Sequence, residues 1–200
     1  RKTERQIAWV IEKAMREAGA EAMAFPPIVA FGSNAAMPHA VPSGRVIKGE
    51  GPLLFDWGCR LNGYCSDISR TICIGPPDET FRKVFQTVLE AQYMAIEAIK
   101  PGVSTQAVDR IAREHIATQG FGDSFGHGLG HGVGLATHEK PHLSPIKPSI
   151  LEAGMITTVE PGVYLPGWGG VRLENMVVVE AQGARILNNL PLDFDWIEVN

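Results

Sequence analysis

No apolar run in this 200-residue chain approaches the roughly 20 residues that span a bilayer, so no membrane partner is expected. Basic blocks are missing as well. With a formal net charge of -4, the chain has nothing to neutralise a run of phosphates, which excludes nucleic acid as its main partner. The N-terminal RKTERQ has none of the apolar character of a signal peptide, and no tract is of low complexity. Cysteine is scarce: Cys59, Cys65 and Cys73 are odd in number, cluster in one stretch and match no zinc-knuckle spacing. They read as reduced packing residues of a cytoplasmic protein rather than a disulfide framework. An initiator Met is also lacking, which suggests a fragment of a longer polypeptide. What remains is a globular composition, 44% hydrophobic and 20% charged, enough for one domain with a substantial core.

The stretch LLFDWGCRLNGYCSDISRTICI (53–74) holds two apolar runs, 53–59 and 64–74, joined at Asn62-Gly63, a strong hairpin turn pair. Each run carries a carboxylate where a core residue is expected, Asp56 and Asp67. A hairpin folding back near Leu61–Asn62 sets the two roughly across from each other, on one face of the sheet. Two such carboxylates repel unless a proton or a cation lies between them. The alternative is a pair of edge aspartates in water.

Residues 3–18 are predicted helical, with Thr3 as N-cap, Gly19 as stop, and Ile7, Val10, Ile11, Ala14 and Met15 on one apolar face. A Pro/Gly/Ser-rich segment, 24–43, follows, containing a short strand over 28–31 and the loop residue His39. A long helix from Asp78 or Thr80 to Ile99 places Phe81, Val84, Val88, Ala91, Met94, Ala95 and Ala98 at helical spacing. A further helix spans 104–118. TERQIAWVIEKAMREAG (3–19) and STQAVDRIAREHIATQG (104–120) align at matching apolar offsets, Ile7 with Val108, Val10 with Ile111 and Met15 with Ile116. Each leads to a strand and then to a hairpin with two carboxylates. The chain therefore reads as two copies of a helix–strand–hairpin unit about a hundred residues apart, related by a pseudo-two-fold axis around a curved antiparallel sheet, an α+β fold. A long helix precedes only the second copy, so bare apolar surface is expected on the first.

In FGHGLGHGVGLATHEKPH (125–142), glycines alternate with His127, Leu129, His131 and Val133. The alternation strips one face of side chains and admits a neighbouring backbone, leaving His127 and His131 on the other. The run does not fit GxGxxG. HEKPH (138–142) matches the HExxH of zinc peptidases, but that motif requires a helix, which Pro141 opposes. The last hairpin joins MITTVEPGVYL (155–165) through LPGWGG to VRLENMVVV (171–179). Glu160 and Glu174 interrupt its apolar strands as Asp56 and Asp67 do the first. An ion pair of Arg172 with Glu174 is the purely structural alternative there.

Four carboxylates, Asp56, Asp67, Glu160 and Glu174, together with His131 cannot share a dry site unneutralised. Two divalent cations neutralise them, and oxygen-rich ligands with one nitrogen suit Mn²⁺, Co²⁺ or Zn²⁺. His39, His127 and His138 are left as donors to a substrate or to a developing oxyanion.

DWGCRLNGYCSDISRT, GHGLGHGVGLATHEKP, TTVEPGVY and GVRLEN resemble the motif series of the pita-bread metallopeptidases, the group of methionine aminopeptidase, aminopeptidase P and prolidase. The resemblance runs from about Phe25 to Val179. It implies that Asp67 and Glu174 bridge two metals, that Asp56 completes one site, and that His131 and Glu160 complete the other. It also implies catalytic or substrate roles for His39, His127, His138 and Glu160, with Arg172 at the substrate site, and a homodimer in the full-length form. SDISRT and VRLE are closer to the Xaa-Pro branch than to the methionine branch. Two features depart from that branch: the N-terminal domain and first helix are absent, and Asn175 stands where Asp is usual. The expected activity is hydrolysis of the bond before proline in small peptides. Its alternatives are a methionine aminopeptidase, a relative hydrolysing a non-peptide amide, or a pita-bread binding module without catalysis.

Overall fold

Thr3 opens the first helix with a reciprocal cap. Its hydroxyl accepts from the backbone N–H of Gln6 at 3.2 Å, and the Gln6 side chain accepts from the backbone N–H of Thr3 at 2.9 Å, satisfying two donors that a helix start leaves orphaned. This helix, α1 (Glu4–Glu17), ends ahead of Gly19, whose φ of 104° few other residues adopt. It appears in a computed structural model that describes residues 2–192 and 198–199. The row of α1 that meets the sheet is not the expected one. Glu4 and Ala8 are buried and Ile7 and Ile11 pack beside them, whereas Val10 is 43% exposed and Ala14 is exposed. Glu4 explains the difference: its carboxylate accepts from the backbone N–H groups of Phe31 and Ser43, the Ser43 hydroxyl and the Asn34 amide. Those bonds fix which side of the helix turns inward. Trp9, next to Val10, is exposed too.

The first unit continues through β1 (Ala22–Met23), β2 (Ile28–Phe31), β3 (Gly51–Trp57), β4 (Cys59–Leu61), β5 (Tyr64–Cys65) and β6 (Ile68–Ile74). β3 pairs antiparallel with both β2 and β6, while β4 and β5 form a short ribbon with β1. The turn lies at Asn62-Gly63 as read from the sequence, both residues having positive φ (51° and 81°), as a two-residue hairpin turn of this kind requires. The register refines one expectation. Asp56 lies opposite Ser69, so Asp67 is on its diagonal, on the same face, rather than directly across.

Asp78 caps α2 (Glu79–Ala98), accepting from the Phe81 N–H at 2.6 Å. α2 buries Phe81, Val84, Val88, Ala91 and Ala95, as expected, but also Gln92, while Met94 is 43% exposed. α3 (Thr105–Thr118) packs against α2. Then come β7 (Gly130–Gly132), β8 (Glu139–Leu143), β9 (Ile156–Val159), β10 (Gly162–Leu165), β11 (Gly169–Arg172), β12 (Asn175–Glu180) and β13 (Gly183–Ile186). β14 (Glu198–Val199) adds to β6, the one parallel pairing among the described strands. The second sheet runs β13-β12-β9-β7-β8 and the first β14-β6-β3-β2. Helix, strand, then hairpin is therefore the order in both halves, α1-β2-β3-β6 and α3-β7-β9-β12. The largest apolar cluster lies between α2, α3 and the second sheet, with Phe81, Phe85, Val108, Ile116, Leu129 and Val177 all buried. β8 is a strand, so His138 and His142 are not one helical turn apart, and the HExxH geometry is absent there. No helix among the described residues is long and apolar enough to cross a membrane.

Candidate metal centre

The ladder breaks at Asp67 in the first hairpin and at Glu160 and Glu174 in the second, while Asp56 stays paired opposite Ser69. In the first, Gly58 and the pair Ser66–Asp67 fall between strands. A Cβ on Gly58 would lie 1.9 Å from the Ser66 carbonyl oxygen, so only glycine allows the chain to close this tightly. In the second, Glu160-Pro161 separates β9 from β10, and Leu173-Glu174 separates β11 from β12. Pro161 offers no ladder donor. The third contributor, β7, passes so near its neighbours that a Cβ on Gly130 would lie 2.0 Å from the Thr158 oxygen and one on Gly132 2.2 Å from that of Lys140. The alternating glycines thus press His131 against the carboxylates.

The ring nitrogen Nε2 of His131 lies 3.2 Å from Glu160 Oε1 and 3.6 Å from Asp67 Oδ2. One ligand atom each of Asp67, His131 and Glu174 falls within 4.8 Å of the others. His131 Nδ1 donates to the Gly132 carbonyl at 3.0 Å, which leaves Nε2 to face the carboxylates, the usual arrangement of a metal-binding imidazole. Glu174 Oε2 accepts from Ser69 Oγ at 2.7 Å, and Asp56 Oδ2 from Arg172 Nη2 at 2.7 Å. The second oxygen of each, Glu174 Oε1 and Asp56 Oδ1, is buried without a hydrogen-bond partner among the described residues. Buried carboxylate oxygens without partners are costly; a cation between the two hairpins would satisfy both. The donor set, oxygen-rich with one imidazole, fits a hard or borderline divalent ion.

The electrostatics of the metal-free site agree. Burial, then the charges of Asp56 and Glu160, pushes Asp67 up to about 8. Burial and the neighbouring carboxylates also raise Glu174 and Asp56, Arg172 opposing the rise at Asp56. Burial would lower His131, but its hydrogen bond to Glu160 and the charges of Glu160 and Asp67 outweigh it, raising the imidazole to about 9. Against burial, His131 and Arg172 hold Glu160 below its ordinary value. Groups whose folded pKa is raised bind protons more tightly in the native state. Their contribution is full below the unfolded pKa and is lost as pH rises through the folded one. Without metal, the melting temperature is therefore expected to fall from pH 5.5 to pH 9, on the order of 5 °C for a loss of about 2 kcal/mol. Saturating Mn²⁺ should reverse the trend, because the ligands must deprotonate to bind it. Thermal scans across that range with a chelator and with Mn²⁺ check this; a metal-free melting temperature that rises with pH contradicts it.

Arg172 does not pair with Glu174. It is 3% exposed, and its guanidinium donates to Asp56 Oδ2, to Ser69 Oγ at 2.9 Å, to the Pro38 carbonyl at 3.1 Å and to the Tyr164 hydroxyl at 2.9 Å. It reaches Glu174 only through Ser69. His127 Nδ1 lies 2.8 Å from the Gly128 carbonyl and Nε2 2.8 Å from the Tyr164 hydroxyl. A carbonyl can only accept, so Nδ1 carries the proton and Nε2 accepts from Tyr164. Burial lowers His127 below its ordinary value, consistent with a neutral ring. One chain of donors thus runs from Arg172 through Tyr164 to His127. Tyr164 was not singled out in the sequence, where a tyrosine in GVYL looks like an ordinary core aromatic. Its buried hydroxyl between Arg172 and His127 is visible only in three dimensions.

The cavity over this cluster encloses about 570 Å³. Phe25, Pro26, Pro27, Ile28 and Pro38 form an apolar wall, and the expected residues His39, His127, His131, His138, Asp56, Asp67, Glu160 and Arg172 all line it. His39 and His138 are exposed at its mouth, and the His138 ring lies 4.2 Å, centre to centre, from that of His131. His142, across β7–β8 from His131, lines the cavity too.

The sequence matches the profile of metallopeptidase family M24 over residues 1–181. The chain belongs to that family. It is 46% identical over 186 residues to an Xaa-Pro dipeptidase of Pyrococcus furiosus, covering 93% of this chain and 53% of that protein. An uncharacterized peptidase, YqhT, of Bacillus subtilis is 41% identical over 185 residues, 92% of this chain and 52% of its own. Among solved structures, the prolidase of Pyrococcus furiosus superposes with a TM-score of 0.94 at 45% identity, over 95% of this chain and 56% of that one. The X-Pro aminopeptidase of Thermotoga maritima does so with 0.93 at 43% identity, over 96% and 54%. These neighbours carry the pita-bread architecture expected from the motif series. The chain spans about half the length of the relatives it matches.

Proposed function

We propose that this M24 chain is the catalytic part of a metallopeptidase that hydrolyses the peptide bond before proline, using two divalent ions held by Asp56, Asp67, His131, Glu160 and Glu174. The observation that carries this reading is the cluster of four carboxylates and one imidazole, two of its carboxylate oxygens buried and unpartnered, all but Glu174 lining a proline-walled cavity. The names of the relatives, dipeptidase, prolidase and X-Pro aminopeptidase, point the same way. When bound, the ions, Mn²⁺, Co²⁺ or Zn²⁺, supply an ionised water and polarise the scissile carbonyl.

The chain's own residues supply the rest. In this reading Glu160 takes a proton from the attacking water and returns it to the departing nitrogen. An Xaa-Pro bond is a tertiary amide with no N–H to grip, and its amine must be protonated as it leaves. The substrate is therefore held by its amino terminus near Asp56, by its carbonyl beside His138, and by its ring on the apolar wall beside His39. His127, both ring nitrogens engaged, shapes the cavity wall. Arg172, its donors already engaged, acts on the substrate through Asp56 and Tyr164. The full-length protein is read as a cytoplasmic homodimer, its cysteines present as thiols rather than a disulfide.

Kinetics on matched tripeptides, methionine first and proline or alanine second, test the substrate class. The full-length, Mn²⁺-loaded enzyme is expected to favour the proline peptide at least tenfold in kcat/KM, about 1.4 kcal/mol of discrimination. A tenfold preference for the methionine-alanine peptide points instead to the methionine branch.

A further inference from the structure

The inside face of α2 carries a polar residue where an apolar one would pack. Gln92 is fully buried, and its amide nitrogen donates to two backbone carbonyls, those of Val159 at 3.1 Å and Leu173 at 2.8 Å. Each carbonyl belongs to the residue immediately before a glutamate of the centre, Glu160 or Glu174, where the second hairpin has lost its ladder. A buried carbonyl needs a donor, and one amide serves both, tying the two glutamate-bearing segments to one point on a helix.

The arrangement continues behind Glu174. The Asn175 amide donates to Gln92 Oε1 at 3.4 Å, and Asn175 Oδ1 accepts from Arg70 Nη2 at 2.9 Å. Arg70 is 1% exposed. Its other donors go to the carbonyls of Glu174, Ser69, Leu190 and Pro191, so all five N–H groups of the guanidinium are used. Each contact permits one orientation of the next. The carbonyls demand the NH₂ of Gln92, which turns its Oε1 to the NH₂ of Asn175, which turns Oδ1 to Arg70. An Asp at position 175 would present an oxygen to Gln92 Oε1, so Asn175 is matched to Gln92 in this chain.

We propose that Gln92, Asn175 and Arg70 are positioning residues, a buried layer that fixes the spacing of Glu160 and Glu174 and thereby the affinity for the second metal ion. The inference rests on the metal-centre reading above. Gln92→Met keeps length and volume and donates nothing. In calorimetric titration of the full-length protein with Mn²⁺, this variant is expected to bind the weaker ion at least about tenfold less tightly than the wild type, the size of effect that residues supporting metal ligands have. The visible absorption of the Co²⁺-loaded protein is expected to change with it. A purely structural role for Gln92 would lower the melting temperature and leave both signals alone. A folded Gln92→Met protein with wild-type Mn²⁺ affinities and Co²⁺ spectrum overturns the proposal, however low its melting temperature. Should Gln92→Met fail to fold, Asn175→Ser, which cuts the link while keeping the Gln92 amide, takes the same two measurements: weakened Mn²⁺ binding supports the layer, unchanged binding overturns it. A wild-type protein that binds no Mn²⁺ at all overturns the metal-centre reading and the layer with it, which separates the two failures.

Discussion

Replacing Asp67 by Ala is expected to take the chain from two bound metal ions to at most one, and to lower kcat/KM on a proline peptide on the order of a thousandfold, about 4 kcal/mol. Asp67 is the carboxylate whose removal touches most of the cluster. Its ligand atom lies within 4.8 Å of those of both His131, on β7, and Glu174, between β11 and β12. In the proposed pair Asp67 is the bridging ligand, as the family resemblance implies, so its loss would withdraw a ligand from both ions. The fold should tolerate the change in metal-free form, because Asp67 there is a buried acid crowded by like charges. Metal analysis of the purified variant, with circular dichroism to confirm folding, checks this. Two tightly held ions in Asp67→Ala would remove Asp67 from the ligand set.

Arg172→Met should act on stability as well as activity. Beside the His131 imidazole, the guanidinium is the positive group that holds a cluster carboxylate, Asp56. Without it Asp56, Tyr164 and the Pro38 carbonyl all lose a partner inside the protein. Removing one member of a buried ion pair costs about 3–5 kcal/mol, which for a chain of this size lowers the melting temperature on the order of 10 °C. Arg172→Lys should recover little, since three donors on a flexible stem cannot reproduce a planar fork with four acceptors. A melting temperature within a degree or two of wild type in Arg172→Met would show that the network is not what holds Asp56.

Most of the site could be read from the sequence because its ligands break a pattern. A carboxylate between Phe55 and Trp57, or after Val159 in a β-branched run, contradicts the strand around it, and that contradiction is local. The repeat was legible for the same reason: apolar spacing in 3–19 and 104–120 depends on nothing distant. What escaped was whatever depends on which face meets which neighbour. Helical periodicity offered Val10 and Ala14 as core, yet Glu4, ordinary as a first-turn acid, is buried because Phe31, Asn34 and Ser43 come to it from across the fold. Met94 looked like core and is exposed, while polar Gln92 is buried because two broken strands place carbonyls over it. Arg172 beside Glu174 suggested a pair within one strand; the partner is Asp56, 116 residues away in sequence. Tyr164 and His127 are joined by a hydroxyl that no spacing rule reports. The diagonal of Asp56 and Asp67, finally, follows from a turn centred on Asn62-Gly63, which pairs Leu61 with Tyr64 and Asp56 with Ser69. A fold-back one residue earlier, near Leu61–Asn62, sets the two aspartates directly across.

The central claim is that the carboxylates of the two hairpins enclose a pair of metal ions. Equilibrium dialysis of the metal-stripped wild-type protein against Mn²⁺ at pH 8, followed by elemental analysis, tests it most directly. Two ions per chain are expected, both lost on lowering the pH far enough to protonate Asp67, Glu174 and His131; a plateau at one ion or none would contradict the two-metal centre.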